Sequence, residues 1–331
     1  DDLTRKLRGK IGESLKSVSD APALSQVTTS SLDALRSFAA GLRANDIDGD
    51  YGRAATLFED AIAKDSGFAA AYIQLAYSLS NAGVQPARQD SLIDKAYRLR
   101  DRLRESERYN VEGAYLQTRD RPKAIAAFER AVAADSSNTD ALNQLAVVLM
   151  RTRNLPKAEQ LTRRALVNEP ENGILAGNLA DVLMNQGKFD ASDSVLRFMK
   201  ERKFPISTEQ DEAALLYMRG ELDSAEGRAR VGSRSAQPDV ARPMLFTLQQ
   251  ILQVRGRFHE ADSIALVVRD AAVKRGARVN WLALPARVAL NDAILRDDSA
   301  RALAKLDSAV KARPLTPESP PGAALDVAHA Y

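Results

Sequence analysis

The stretch TDALNQLAVVLMRTRNLPKAEQLTRRALVNEPEN, residues 139–172, decides the fold. Leu142, Leu145, Ala146 and Leu149 recur at spacings of 3, 1 and 3, which places all four on one face of a helix. Ala158, Thr162, Ala165 and Leu166 repeat the pattern on a second helix, and Pro170 stops it. Arg153-Asn154-Leu155-Pro156 makes the turn between them. The unit is therefore a helical hairpin of 34 residues.

The signature recurs in both directions. Gly49-Asp50-Tyr51 precedes Ala54, Phe58, Ala61 and Ile62; Asp120-Arg121-Pro122 precedes Ala124, Phe128, Ala131 and Val132. Gly187-Lys188-Phe189 precedes Ser192 and Leu196, Gly220-Glu221-Leu222 precedes Ala225 and Ala229, and Gly256-Arg257-Phe258 precedes Ala261 and Ala265. Asp298 precedes Ala302, Leu306 and Ala309. The small-residue slots at 124, 158, 192 and 225 are 34, 34 and 33 apart, and the later steps to 261 and 302 are 36 and 41. A small residue early in the second helix lets the two helices approach. The aromatic or leucine four residues on is expected to plug the gap to the next repeat. The glycine permits the left-handed backbone that ends the first helix.

These residues resemble the tetratricopeptide repeat, with its 34-residue helix-turn-helix unit and Gly-x-Tyr/Phe-x-x-Ala…Phe…Ala…Pro pattern. The resemblance covers about residues 31–314, most specifically Thr139–Asn172 and Gly49–Ser66, and is looser around a helix expected over 90–104. It implies an all-α solenoid, a right-handed superhelix of about seven to eight hairpins. Residues 1–30 then form a lead-in, and 315–331 a proline-rich linker with the start of a truncated further repeat. Ser30 followed by Asp33 reads as the capped start of the first repeat helix.

Composition agrees. Of the 331 residues 45% are hydrophobic but only 5% aromatic, and Ala and Leu dominate, which favours helix over strand. The 47 basic and 44 acidic side chains leave a net charge of +3, with no field to argue for nucleic acid. No apolar run is long enough to span a membrane, so membrane association would come only through an upstream segment. Cysteine is absent, which excludes disulfides and cysteine-ligated metals. That absence suits periplasm and cytoplasm alike, and a bacterial extracytoplasmic location is favoured. The chain starts at Asp1 without Met and ends as Ala323–Ala328 opens another helix, as a segment of a longer protein would.

A second resemblance lies in Ile11–Val18, Val27–Leu35, Ala71–Gly83 and Arg98–Arg108. These stretches are similar to the carboxy-terminal tetratricopeptide region of bacterial membrane-attached serine/threonine protein kinases. The sequence itself contains no Gly-rich phosphate loop, no His-Arg-Asp and no Asp-Phe-Gly. The resemblance implies a sensory or regulatory region whose catalytic domain lies elsewhere, and a signalling role.

In such an array the first helix of each hairpin lines the concave wall. The groove-facing positions are then Asp140, Asn143, Val147, Met150 and Arg151 in one hairpin. The next supplies Ile174, Gly177, Asn178, Asp181, Met184 and Asn185. Amides and a guanidinium suit a peptide's backbone and carboxylates, and Met adapts to its side chains. The alternative is a solvated face with no ligand. Some members of the family grip a terminal carboxylate with a Lys/Asn/Arg clamp. Asn178 matches one Asn of it, but Asn143 and Val147 stand in the Lys and Asn positions, so no clamp of that kind is expected.

Other features carry two readings each. Lys95–Arg108 is a basic stripe or, better supported by its alternating charges, a solvated helix. Leu3, Leu7, Ile11, Leu15 and Val18 form an apolar stripe that caps the first repeat, touches lipid or makes a dimer seam. Arg313–Gly322 is a rigid linker or a docking segment. Catalysis finds no foothold: His259, expected in a turn, and His329 are the only histidines, with no carboxylates spaced for zinc. Glu209, Asp211 and Glu212 read as a helix start, and Trp281 as packing before a helix over 282–296. The reading is a scaffold, not an enzyme, that needs no cofactor and binds a protein or peptide in its groove. Alternatives are the kinase regulatory region and a structural subunit of a stable assembly.

Overall fold

The computed structural model describes residues 29–83, 86–236, 238–274, 283–295, 297–312 and 314. Among them sixteen α-helices follow one another and no strand occurs. They are α1 (Leu32–Asp46), α2 (Tyr51–Lys64), α3 (Ala69–Asn81), α4 (Pro86–Arg98), α5 (Glu105–Leu116), α6 (Arg121–Ala134), α7 (Thr139–Arg151) and α8 (Leu155–Asn168). There follow α9 (Gly173–Asn185), α10 (Phe189–Glu201), α11 (Glu209–Met218), α12 (Leu222–Gly232), α13 (Pro238–Val254), α14 (Phe258–Lys274), α15 (Ala283–Leu295) and α16 (Ser299–Ala312). In sequence order these are eight pairs, as the repeat count implies. One compact unit carries α1 to α9 with the segment Lys203–Ile206, and the other carries α10 to α16.

Local chemistry sets the helix ends. Asp50, Asp120, Asn138 and Asn172 each accept a hydrogen bond from a backbone N–H of the helix they open. Each satisfies a donor that helix geometry leaves orphaned, worth about 1 kcal/mol. The α1–α2 turn reaches a φ of 63° through Gly49. The α7–α8 turn has no glycine and places Arg153 at φ 64°, at a cost of about 1 kcal/mol.

The small-residue slots behave as expected: Ala54, Ala124, Ala158, Ser192, Ala225 and Ala261 are fully buried. The aromatic positions take a role that the expectation did not include. Phe58 lies against Gly41 of α1, so close that a Cβ there would meet the ring at 2.7 Å. Phe128 lies against Gly113 of α5, where the same test gives 2.6 Å. Each ring thus fills a notch in the first helix of its own hairpin, and Phe128 also belongs to the core that includes Leu142 and Leu145 of the next.

Three boundaries also differ from the sequence reading. The first repeat helix is capped by Ser31, whose hydroxyl accepts from Ala34 N, because Ser30 sits one residue too early. The helix expected over 90–104 ends at Arg98, and a short 3-10 turn, Arg100–Arg102, follows. Lys95–Arg108 is consequently divided between α4, that turn and α5. His259 lies in the first turn of α14. Glu209, Asp211 and Glu212 do form the first turn of α11. The apolar stripe of residues 3–18, Trp281, His329 and the proline-rich stretch fall outside the described residues, Pro314 excepted.

The first unit's core joins Phe128, Leu142, Leu145, Leu149, Leu161 and Leu175. The second unit's joins Ala225, Ala229, Met244, Leu248, Ile251 and Leu252. The second unit also holds Glu226 among Arg230, Arg255 and Arg257 at 2.8, 3.0 and 2.6 Å. Burial alone would raise that carboxyl, but hydrogen bonds and charge from Arg230 and Arg257 outweigh it and hold it low.

Candidate binding groove

Because α1, α3, α5, α7 and α9 are the first helices of their hairpins, the first unit gathers them around one concavity. A cavity of about 390 Å³ is lined from all five of these segments, including Asp46, Gln74, Ala114, Asp140 and Asn178. A neighbouring one of about 350 Å³ shares Asp46, Gln74 and Asp140 with it. A third, between α1 and the α8–α9 turn, shares Leu42, Asp46 and Glu169 with the second and adds Arg43 and Glu171.

Of the eleven residues assigned to the groove from sequence, six line the main cavity: Asp140, Asn143, Val147, Arg151, Ile174 and Asn178. Asn178 on α9 donates from Nδ2 to Asn143 Oδ1 on α7 at 2.8 Å, so the two amides form one rung of the wall. Five do not line it, Gly177 among them. Met184 is only 3% exposed and belongs to the interior, and Met150 packs on the core. Asn185 turns back, donating to Asp181 O and accepting from Arg153. Asp181, half-buried, has its carboxyl pushed up to about 6 by burial. For Met184 the reason is helical phase: six positions after Asn178, at about 100° per residue, it lies about 240° round α9, toward the packed face.

Sequence reasoning missed the groove's carboxylates outside α7. Asp140 stands at the floor of the concavity, ringed by protein yet open to water. That recess pushes its carboxyl up to about 7, and Asp46, Glu169 and Glu107 add repulsion, while a 2.5 Å hydrogen bond from Gln74 Nε2 acts the other way. Burial likewise pushes Asp46 up to about 6, opposed by the Asn45 amide at 2.7 Å and reinforced by Glu169. Burial raises Glu107 as well. These residues come from three hairpins, and each alone looks like a helix-end carboxylate, so only a three-dimensional reading assembles them. Among the described residues no three His, Cys, Asp or Glu are placed to hold a metal ion. No described helix is long and apolar enough to cross a membrane.

A stack of paired helices with small residues at the crossings and a lined concavity defines a helical-repeat scaffold. Residues 114–173 match the tetratricopeptide repeat family model. That segment runs from the end of α5 to the start of α9 and contains four of the six lining residues named above. Among solved structures, a tetratricopeptide repeat protein from Parabacteroides merdae aligns with 13% identity over 72% of this chain and 93% of its own, with a TM-score of 0.48. Yeast Tom70 aligns with 19% identity over 99% of this chain and 72% of its own, with a TM-score of 0.47. No curated protein matches the sequence significantly.

Proposed function

We propose that the chain is a protein-interaction scaffold that takes a peptide or protein segment along the first-helix wall of its first unit. The observation that supports this reading most is the lined concavity itself. It is open, it draws polar side chains from five successive first-helix segments, and its Asn143–Asn178 rung leaves amide groups suited to an extended backbone. Binding here is preorganised shape with a few polar anchors and no bond chemistry. Photo-crosslinking tests it. A photoreactive residue at Val147 should form adducts with the partner, and one at Val167, which is 80% exposed on α8, should not. Adducts at Val167 alone would overturn the groove assignment.

A further inference from the structure

Resting on that reading, we infer that the acidic end of the groove takes a lysine or arginine side chain of the bound peptide. Three observations carry this. The first is the convergence of Asp46, Glu107, Asp140 and Glu169 from three hairpins on adjoining cavities, with amide or backbone N–H partners but no ion pair among the described residues. Glu107 and Asp140 lie in the first turns of α5 and α7, where the dipole welcomes an acid, but Glu169 caps the C-terminal end of α8, where it does not. Asp46 lies in the last turn of α1, where the dipole opposes it, so helix capping does not account for the cluster.

The second is Asn110, 4% exposed, which lines the same cavity as Glu107 and Asp140 with its Oδ1 accepting no hydrogen bond. The Tyr77 hydroxyl is close to it but also completes no bond of good geometry. A buried orphan acceptor costs about 1–3 kcal/mol. Beside carboxylates, the group that satisfies it is a multiple N–H donor. The third is spacing: the carboxylates are too dispersed to chelate a metal ion, whereas ammonium and guanidinium are larger and donate in several directions.

The groove's own cations have other partners: Arg43, which shares a cavity lining with Asp46 and Glu169, pairs with Asp48 at 3.9 Å. Arg104, at the start of α5, attracts Glu107, but its Nε is buried without a hydrogen bond. Arg119 is held by Asp94 at 2.9 Å and lies over the Tyr115 ring. Arg151 is eleven residues along α7 from Asp140, about 16 Å at 1.5 Å per residue. The wall is thus polarised, acidic at the start of α7 and basic at its end. Val147 and Ile174 lie on the wall too, which favours a peptide over a bare polyamine, since a peptide also buries apolar surface there.

The test uses the whole chain and fluorescein-labelled peptide pools that are randomised except for two fixed positions, holding arginine, citrulline or glutamate. Arginine pools should bind at least about ten-fold tighter than citrulline pools, the equivalent of about 1.4 kcal/mol, with affinity falling as salt rises. Asp46→Asn and Asp140→Asn should each weaken arginine binding several-fold without lowering the melting temperature, whereas Asp193→Asn, outside this unit, should not weaken it. Equal binding of arginine and citrulline, absence of arginine binding, or indifference to both groove substitutions would overturn the inference. Displacement by spermidine at the affinity of the arginine pool would overturn its peptide half. Continued partner crosslinking at Val147 alongside any of these failures would leave the groove reading standing.

Discussion

Gln74 on α3 donates a 2.5 Å hydrogen bond to Asp140 on α7, across 66 residues of sequence and past an intervening hairpin. Stacked neighbours alone would not bring these side chains together. The bond shows how tightly the first helices of the first unit converge, and it makes Asp140 the point where several carboxylate fields overlap.

This convergence predicts a pH dependence. Folding raises Asp140 to about 7 and Asp46 to about 6, from 3.8 in each case, so the folded state holds extra protons between those values. The stability these groups contribute is full below about pH 4 and is lost as pH rises through 6 and 7. Asp140→Asn, which keeps an acceptor for Gln74, should flatten that slope. It should stabilise the chain by about 1 kcal/mol at pH 8, allowing for water in the open groove. Denaturant titrations of wild type and variant across this range check it, and an unchanged slope would refute it.

In the second unit the sign reverses. Glu226 is held low by its arginines, so its contribution is present above about pH 4.5 and is lost as pH falls. Glu226→Ala should destabilise by about 3 kcal/mol, because three guanidinium groups lose their shared acceptor. Urea unfolding at pH 7 reads this, and a loss well under 1 kcal/mol would mean that the network is solvent-screened.

Gly113 and Phe128 should be coupled. Gly113→Ala should cost about 1–3 kcal/mol by forcing a methyl into the ring. Phe128→Ala should cost about 3–5 kcal/mol through the cavity it leaves. Combining Gly113→Ala with Phe128→Leu should cost less than the sum of the two single changes. Strict additivity in a double-mutant cycle would mean that the two sites do not meet.

On the groove wall, Asn143→Ala should weaken partner binding by about 1 kcal/mol, and Asn178→Ala should add little on top, because each removes the same rung. Titration calorimetry of both singles and the double would reveal the coupling. Fully additive losses would separate the two amides.

The hairpin repeat was legible in the sequence because its causes are local. A 3.6-residue apolar period, Asp or Asn ahead of each helix, and an alanine at nearly fixed intervals all act within one repeat. Helix starts missed by a residue, as at Ser31, where two adjacent serines offer the same cap. The facing role of Phe58 and Phe128 was not legible, because Gly41 and Gly113 read as weak helix residues until the ring is seen against them. Wall positions on α7 and α9 followed from phase, and Met184, which is off that phase, lies in the core.

Sequence by itself therefore determined that this chain is an array of helical hairpins. Tertiary structure alone decided what the concavity of its first unit is made of. Asp46, Glu107, Asp140 and Glu169 are unremarkable one at a time, spread over more than a hundred residues. Their shared field depends on the angle between successive hairpins, a property summed over many small packing contacts that no single stretch of sequence encodes.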